Sequence, residues 1–270
     1  HAAGDKIKVI YGVEGYFVND VDSRLAVFGN CTGTPEDEIV VFDIETTGLS
    51  TMRDAITEIG AVIMKNGVEI YRFQTFANPE RPIPPTITQL TGITNEDVKD
   101  APSQRQAVRE FLEFAAGRPL AAHNASFDIG FIYEVCLRYG LDFEPQYVDT
   151  LALSRALFPD MKSHKLDIVA ARLGLPEFRH HRASDDAVTT GLVLAKLFDK
   201  LREEGVGDLS QINAHISAKT AGRMRNRFKP KHIIILAKTQ AGIKNLYKLI
   251  TKSHLETFHR FPIILKSALM

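Results

Sequence analysis

The hydrophobic positions of residues 39–76 predict three strands. Ile39–Phe42 is apolar on both faces, which is typical of a strand inside a covered sheet. Glu58–Lys65 and Val68–Phe76 flank the dipeptide Asn66-Gly67, the strongest short signal for a β-hairpin. We therefore expect a buried strand followed by a two-stranded ribbon.

Helical periodicity takes over after residue 100. Ser103 is a suitable N-cap for an amphipathic helix that extends to Ala116, and a helix over Phe127–Tyr139 ends at Gly140. Further helices are expected near 150–157, 165–173 and 183–204, short strands at 120–122 and 147–149, and an irregular segment at the prolines 79, 82, 84 and 85. A hairpin followed by alternating helices and strands predicts an α/β fold, with a mixed sheet covered by helices.

The two ends of the chain carry strands without neighbouring partners. Residues 8–18 read as strand material broken by glycines. After a turn-rich junction at 29–38 and the middle unit, the last unit begins with an irregular basic stretch, followed by a strand at 232–236 and a helix. If the two end strands pair, the middle is an insertion, and the expected units are 1–37, 38–205 and 206–270.

Charge supports this division. The chain has 33 basic and 33 acidic side chains, but residues 36–205 carry 18 basic and 27 acidic ones. Residues 206–270 carry 12 basic and 2 acidic side chains, so the neutral total conceals an acidic middle and a basic end.

Composition excludes several classes of protein. No apolar run approaches the roughly 20 residues of a membrane helix, and two cysteines, Cys31 and Cys136, cannot form a disulfide framework. We expect a reduced, cytoplasmic protein without a membrane anchor. Because the first residue is His1 and the chain starts in mid-pattern, we expect a piece of a longer protein.

Two acidic residues, Asp43 and Glu45, close the first strand of the middle unit. Residues two apart on a strand point to the same face. Adjacent carboxylates in an apolar element repel each other, and burial of their charge is costly, so a hard divalent cation such as Mg²⁺ would relieve both effects. A solvated strand end with two unrelated acids is the alternative interpretation.

Two further acidic sites lie where helices are predicted to begin. Asp128 follows the short strand at 120–122, and Asp185 and Asp186 enter the last long helix of the middle unit. Each could simply favour the positive end of a helix dipole. Helix capping does not account for the histidine pair His180 and His181 just before that helix.

In chain order, Asp43-x-Glu45, Asp128, and His181 followed five residues later by Asp186 resemble the three motifs of the DEDDh exonucleases. The runs around them agree with that family: Phe-Asp-Ile-Glu-Thr-Thr-Gly-Leu, Ala-His-Asn-Ala-Ser-Phe-Asp and His-Arg-Ala-Ser-Asp-Asp-Ala. The resemblance covers roughly residues 38–204. It implies a ribonuclease H-like fold that removes nucleotides from the 3′ ends of DNA with two Mg²⁺ ions, for which Mn²⁺ can substitute.

The resemblance also implies a role for each acid. Asp43 would bridge both ions, Glu45 and Asp186 would hold one, and Asp128 would hold the other or its waters. His181 would be the general base, since imidazole, with an unperturbed pKa of about 6.5, titrates near working pH.

A register displaced by one residue is an alternative for the last motif, because His180 and Asp185 have the same spacing as His181 and Asp186. We prefer the second pair because the residues between its members follow the family pattern.

The same motifs supply candidates for contact with the terminal nucleotides: Thr46, Thr47, Leu49, Leu90, Ile93, His123, Asn124 and Phe127. Leu90 and Ile93 belong to a run that resembles the family's substrate loop and could wedge against terminal bases, which favours frayed ends. Strand-end hydrogen bonding is the alternative for His123 and Asn124, and Phe127 could be a core residue.

The ends of the chain resemble a second family. Residues 9–14 and 242–249 resemble the split PHP domain, a β/α barrel-like domain, of PolC-type DNA polymerase III, in which a proofreading exonuclease is inserted. The partners implied are the remainder of a polymerase chain and replisome components in a bacterial cytoplasm. Glu14, and more weakly His254, resemble PHP metal ligands, but the histidine cluster of that domain is missing, so we expect no activity from it.

The basic stretch of the last unit has two interpretations. Its members are Arg223, Arg225, Arg227, Lys229 and Lys231, which could follow DNA phosphates or form a solvated linker. A free-standing DNA or RNA exonuclease and a non-catalytic nucleic-acid-binding module are the alternatives to a proofreading exonuclease. The PHP-like ends argue against the first, and the complete set of five catalytic-type residues argues against the second.

Overall fold

A computed structural model describes residues 10–18, 25–176, 182–220, 231–259 and 261–269. The chain divides into a central unit, Leu25–Ile216, and a flank unit made of the residues before and after it. Each unit contains its own sheet.

The elements follow the predicted order closely. The strands are β1 (Tyr11–Val18), β2 (Val27–Phe28), β3 (Ile39–Thr46), β4 (Ile56–Lys65), β5 (Val68–Phe76), β6 (Leu120–Ala122), β7 (Tyr147–Asp149), β8 (Lys231–Ala237), β9 (Phe258–His259) and β10 (Phe261–Leu265). The helices are α1 (Pro85–Thr91), α2 (Asn95–Val98), α3 (Gln104–Ala115), α4 (Ala125–Tyr139), α5 (Thr150–Leu157), α6 (Leu166–Arg172), α7 (Ala183–Glu203), α8 (Ile212–Thr220) and α9 (Gln240–Leu255). The hairpin at Asn66-Gly67 and the helices α3 to α7 confirm the sequence predictions.

The sheet of the central unit has the strand order β2-β7-β6-β3-β4-β5. Strands β3, β4 and β5 are antiparallel neighbours, whereas β6 and β7 continue the sheet parallel to β3. Strand β2 pairs antiparallel with β7. The predicted mixed sheet is confirmed, and β3 lies at the junction of its antiparallel and parallel parts.

Strand β3 is apolar on both faces because it separates two cores. Val41 joins the core that includes α7, whereas Phe42 and Phe111 of α3 lie in the core on the opposite face. Because side chains alternate along a strand, the next two side chains on the Val41 face are Asp43 and Glu45. The two acids therefore end β3 on the face that α7 covers.

Two segments differ from the sequence prediction. Residues 79–84 are irregular as expected, but helix α1 begins at Pro85, since proline lacks only an N–H that the first helical turn leaves unpaired anyway. After residue 206, a 3-10 turn at Leu209–Gln211 leads into α8, which was not predicted. Of the basic stretch that follows, Arg223, Arg225, Arg227 and Lys229 lie outside the described residues, and Lys231 begins β8.

The central unit extends beyond the expected range 38–205. Asn213 of α8 accepts hydrogen bonds from the backbone N–H groups of Ala26 (2.9 Å) and Val27 (3.1 Å) and donates one to the carbonyl oxygen of Val27 (2.6 Å). The N–H group of Leu209 donates to Gly33 at 2.8 Å. These bonds attach residues on both sides of the expected range to the central sheet, so its boundaries lie at 25 and 216.

The flank unit joins the two ends of the chain. Strand β8 pairs antiparallel with β1 from Tyr11 opposite Ala237 to Phe17 opposite Lys231, which confirms the expected pairing of the end strands. Strand β10, not predicted, pairs parallel with β1, and α9 follows β8. Among the described helices of the chain, none has the length and apolar character needed to cross a membrane.

Candidate active site

The candidate site is a cluster of carboxylates at the end of β3. Three carboxylate oxygens lie within 4.8 Å of one another, one each from Asp43, Glu45 and Asp186. Asp43 and Glu45 are half-buried neighbours on one face of β3, and Asp186 is in the first turn of α7. The structure therefore brings together three of the four predicted metal ligands.

The fourth predicted ligand, Asp128, lies beside this cluster. It is in the first turn of α4, is 2% exposed, and accepts a hydrogen bond from the N–H group of Ile44 at 3.2 Å. That bond ties the start of α4 to β3 between the two acids of the strand. Burial is the largest cause that raises the pKa of Asp43 and the charge of Asp128 is the next, so the two side chains share one electrostatic environment.

Burial and mutual repulsion make ionisation of the clustered carboxylates energetically costly. Desolvation, followed by the charge of Asp186, raises the pKa of Glu45 to about 7. Desolvation is also the main cause that holds the pKa values of Asp43 and Asp128 well above their usual range, with the neighbouring carboxylates adding to it. At neutral pH the metal-free site therefore resists full ionisation.

The donor set fits a hard divalent cation. All the ligand atoms are carboxylate oxygens, which Mg²⁺ and Mn²⁺ prefer over nitrogen or sulfur. A cation among them would replace repulsion between the carboxylates with attraction and would lower the pKa values that burial has raised. The cluster of Asp43, Glu45 and Asp186 is thus consistent with a metal site.

A glycine that sequence analysis missed allows α7 to approach the sheet. Gly60 of β4 lies opposite Asp43 in the β3–β4 ladder. A Cβ atom at this position would clash with the backbone of Ala183 and Ser184, so the start of α7 rests directly on β4. Glycine inside a strand often marks such a close backbone approach, and this was the available signal.

A fifth acid, Glu58, was also missed. It is 0% exposed and lies on β4 opposite Glu45. Burial is the main cause that raises the pKa values of Asp43 and Glu45, and the charge of Glu58 makes a smaller contribution in the same direction. The available signal was that Glu58 is the one charged residue in the run from Ile56 to Met64, where burial of an unpaired charge is costly.

The predicted base His181 lies outside the described residues, as does His180. The two acids of the last motif are described and differ in environment. Asp185 is ion-paired to Arg72 of β5 at 3.4 Å, whereas Asp186 joins the acidic cluster. This assignment favours Asp186 over Asp185 as the ligand, while the choice of histidine stays a prediction.

The residues after β3 form a turn with internal hydrogen bonds. The hydroxyl group of Thr46 donates to the carbonyl oxygen of Gly48 at 2.6 Å, and that of Thr47 accepts from the N–H group of Ala55 at 3.0 Å. Both threonines are buried, whereas Leu49 is 87% exposed. Of these candidates for substrate contact, Leu49 has the free surface and the threonines shape the turn that presents it.

The candidate substrate loop divides in the same way. Leu90 on α1 is 53% exposed. Ile93 is 3% exposed and packs with Ile83 and Val98 in a small core cluster, because the left-handed turn at Gly92 directs the following residue inward. In this structure Leu90 is available for contact with a base, and Ile93 supports the loop instead of facing solvent.

His123 is held from both sides of its ring. Its Nδ1 atom lies 2.9 Å from the hydroxyl oxygen of Thr150, and its Nε2 atom lies 2.8 Å from the carbonyl oxygen of His164. Because a carbonyl only accepts, Nε2 carries a proton; Nδ1 faces the hydroxyl group of Thr150, which also lies 3.3 Å from the carbonyl oxygen of Ala122. Desolvation lowers the pKa of His123, so its observed environment is that of a neutral structural histidine.

Asn124 and Phe127 begin α4. Asn124 is exposed at φ 72° and donates its backbone N–H to the carboxylate of Asp149 at 3.2 Å. Phe127 is partly buried and lies against Phe131, with 5.0 Å between ring centroids. Asn124 therefore has an accessible side chain, and Phe127 contributes part of its surface to the core.

Comparison with known proteins is consistent with this arrangement. The family model RNase_T, described as an exonuclease, matches residues 40–194. The PolC-type DNA polymerase III of Caldanaerobacter subterraneus subsp. tengcongensis is 45% identical over 264 residues, which are 98% of this chain and 19% of the relative. That of Clostridium perfringens is 43% identical over 267 residues, 98% of this chain and 18% of the relative. The chain therefore spans about a fifth of the length of these relatives.

Solved structures share the fold at lower identity. Exonuclease X in complex with 5′ overhanging duplex DNA is 24% identical with a TM-score of 0.52, over 65% of this chain and 99% of that one. The nuclease domain of 3′hExo, a DEDDh family member bound to rAMP, is 19% identical with a TM-score of 0.50, over 63% of this chain and 94% of that one. The family match contains every acid of the cluster, from Asp43 to Asp186, and the chain belongs to the RNase_T exonuclease family.

Proposed function

We propose that this chain is the proofreading 3′–5′ exonuclease region of a PolC-type replicative DNA polymerase III in a bacterial cytoplasm. The observation that carries the proposal is the convergence of three carboxylate oxygens within 4.8 Å at the meeting point of β3 and α7. Its second support is 45% identity to a PolC-type polymerase along nearly the whole chain. The remainder of the polymerase and other replisome components are the expected partners.

The acids would hold two divalent ions, Mg²⁺ or Mn²⁺. Asp43, Glu45 and Asp186 supply the shared oxygen cluster, and Asp128 supplies a carboxylate beside Asp43. When bound, such ions activate water, neutralise charge on the phosphate and stabilise the leaving oxygen. His181 would take the proton of the attacking water, which requires an imidazole that is neutral at working pH.

Substrate would enter as a frayed or single-stranded 3′ end. Leu49 and Leu90 expose apolar side chains on the turn after β3 and on the candidate substrate loop, where a base separated from its stack could rest. A mismatched end separates more readily than a paired one, which gives a physical basis for preferring errors. The acidic central unit also implies weak binding of DNA until cations occupy the carboxylate cluster.

The flank unit would be the two pieces of a split PHP domain. Two observations support this proposal. Strand β1 pairs with β8, although the central unit separates them in the sequence, and residues 9–14 and 242–249 resemble that domain. The carboxylate oxygen Oε1 of Glu14 lies 2.9 Å from Nδ1 of His232, and both side chains are exposed. We expect no catalysis from these fragments.

The test is degradation of a 5′-labelled primer on a template, with and without a single mismatch at the 3′ end. The proposal predicts a ladder that shortens from the 3′ end in Mg²⁺, faster for the mismatched primer, and no shortening in EDTA. Release of a labelled mononucleotide would indicate the opposite polarity. Binding without shortening would indicate a non-catalytic module, and either result would overturn the proposal.

A further inference from the structure

The carboxylate of Glu58 is fully buried but is not one of the three clustered metal-ligand candidates. It is 0% exposed and lies opposite Glu45 in the β3–β4 ladder, so both side chains are on the face that α7 covers. An unpaired carboxylate at such a depth would be costly, and this one also opposes ionisation of Asp43 and Glu45. A residue with these costs requires compensating partners.

Those partners come from the neighbouring strand and from the start of α7. The side-chain amide of Gln74 on β5 donates to Glu58 Oε1 at 2.5 Å, and the guanidinium of Arg182 donates to the same oxygen at 3.2 Å. The backbone N–H of Ala183 donates to Glu58 Oε2 at 3.5 Å. Both oxygens of Glu58 are therefore engaged within the protein, with two of the three donors at the beginning of α7.

Helix α7 has no side-chain cap of its own. Its N-cap residue is Arg182, whose side chain makes no capping hydrogen bond. The first N–H groups of a helix need acceptors, and negative charge is favourable at that end. Glu58, on β4, supplies both a hydrogen-bond acceptor and a negative charge to this end of α7. Gly60, on the same strand, lets the backbone of α7 come close enough for this contact.

The residues adjoining this cap belong to the active site. Ala183 is three residues before Asp186, and Arg182 directly follows His181 in the sequence. We propose that Glu58 is a positioning residue, which acts through Arg182 and the first turn of α7 to set the start of that helix against β3. The placement of Asp186 among the candidate metal ligands then depends on Glu58.

This inference rests on the proposed exonuclease function and is tested with the full chain. Glu58→Gln keeps the shape of the side chain, removes its charge and leaves an amide that cannot accept from both sides. It should lower kcat and raise the Mg²⁺ midpoint by about 10–100-fold, typical of residues that orient metal ligands, while KM for single-stranded DNA stays within about threefold. The Mg²⁺ midpoint is read twice, from activity and from the rise of melting temperature with Mg²⁺.

The matched control is Glu38→Gln. Glu38 immediately precedes β3 and is ion-paired to Arg118 at 2.9 Å, at the opposite end of the strand from the acidic cluster. Its replacement should change neither kcat nor the Mg²⁺ midpoint. An inactive wild-type chain would refute the exonuclease function, whereas the thermal Mg²⁺ midpoint would still test the role of Glu58.

A double-mutant cycle with Arg182→Met separates positioning from general stability. The Arg182 side chain is 48% exposed, so Glu58→Gln leaves no buried unpaired cation, whereas Arg182→Met leaves the buried Glu58 carboxylate without its cation. If the two residues act as one unit, the double variant should be no slower than the slower single variant. Independent, additive losses, or an unchanged kcat and Mg²⁺ midpoint in Glu58→Gln, would overturn the proposal. If Glu58→Gln does not fold, unchanged values in Arg182→Met overturn it instead.

Discussion

The replacement Glu45→Gln should stabilise the metal-free protein while it removes catalysis. Burial and the charge of Asp186 raise the pKa of Glu45 from 4.5 to about 7. The folded state therefore binds more protons than the unfolded chain between these two values. Stability must fall as the pH rises through that window, and the loss is complete above it.

The size of the loss follows from the shift. At 1.36 kcal/mol per pKa unit, the charged Glu45 costs the folded state about 3 kcal/mol at pH 8. Below about pH 5 the folded carboxyl is already protonated, so the cost is under about 1 kcal/mol. In a unit of this size, 3 kcal/mol corresponds to a rise in melting temperature of roughly 6–12 °C for the neutral glutamine variant.

The assay is thermal unfolding in EDTA at pH 8 and pH 5, with Glu203→Gln as a control because Glu203 is exposed on the same helix as Asp186. Glu45→Gln should melt well above the wild type at pH 8 and close to it at pH 5, and the control should match the wild type at both. An unchanged melting temperature at pH 8, or an equal gain at both pH values, would refute the account of a strained carboxylate cluster.

Three further predictions follow from the site. Mg²⁺ should raise the melting temperature of the wild type more at pH 8 than at pH 5, because protons compete for the carboxylates; equal shifts would argue against binding there. His181→Ala should reduce the rate by about 10²–10⁴ with the Mg²⁺ midpoint kept, and His180→Ala should do much less; the reverse order would move the base to His180. Gly60→Ala should cost about 1–3 kcal/mol of stability and impair activity by displacing α7, whereas Gly207→Ala, where a methyl group has room, should do neither.

The sequence predicted those features that depend on local spacing. Asp43 and Glu45 share a strand face because strands alternate, and Asp186 could be assigned from its motif. Glu58 was not predicted, because its role depends on which strand lies beside β3 and which helix crosses it. The boundary of the central unit was missed for the same reason, since Asn213 forms hydrogen bonds with Val27 and Ala26, which lie 186 and 187 positions earlier. Ile93 turned inward because of a loop conformation that composition does not determine.

Hydrolysis is expected to occur at the carboxylate cluster at the end of β3. The most direct measurement is the initial rate of shortening of 5′-labelled single-stranded DNA by the full chain in Mg²⁺, for the wild type and for Asp43→Ala/Glu45→Ala. The wild type should give a ladder of products that shortens from the 3′ end. The double variant should give none, and its melting temperature should be equal or higher because two repelling charges are gone. More than a trace of activity in a folded double variant would contradict the claim.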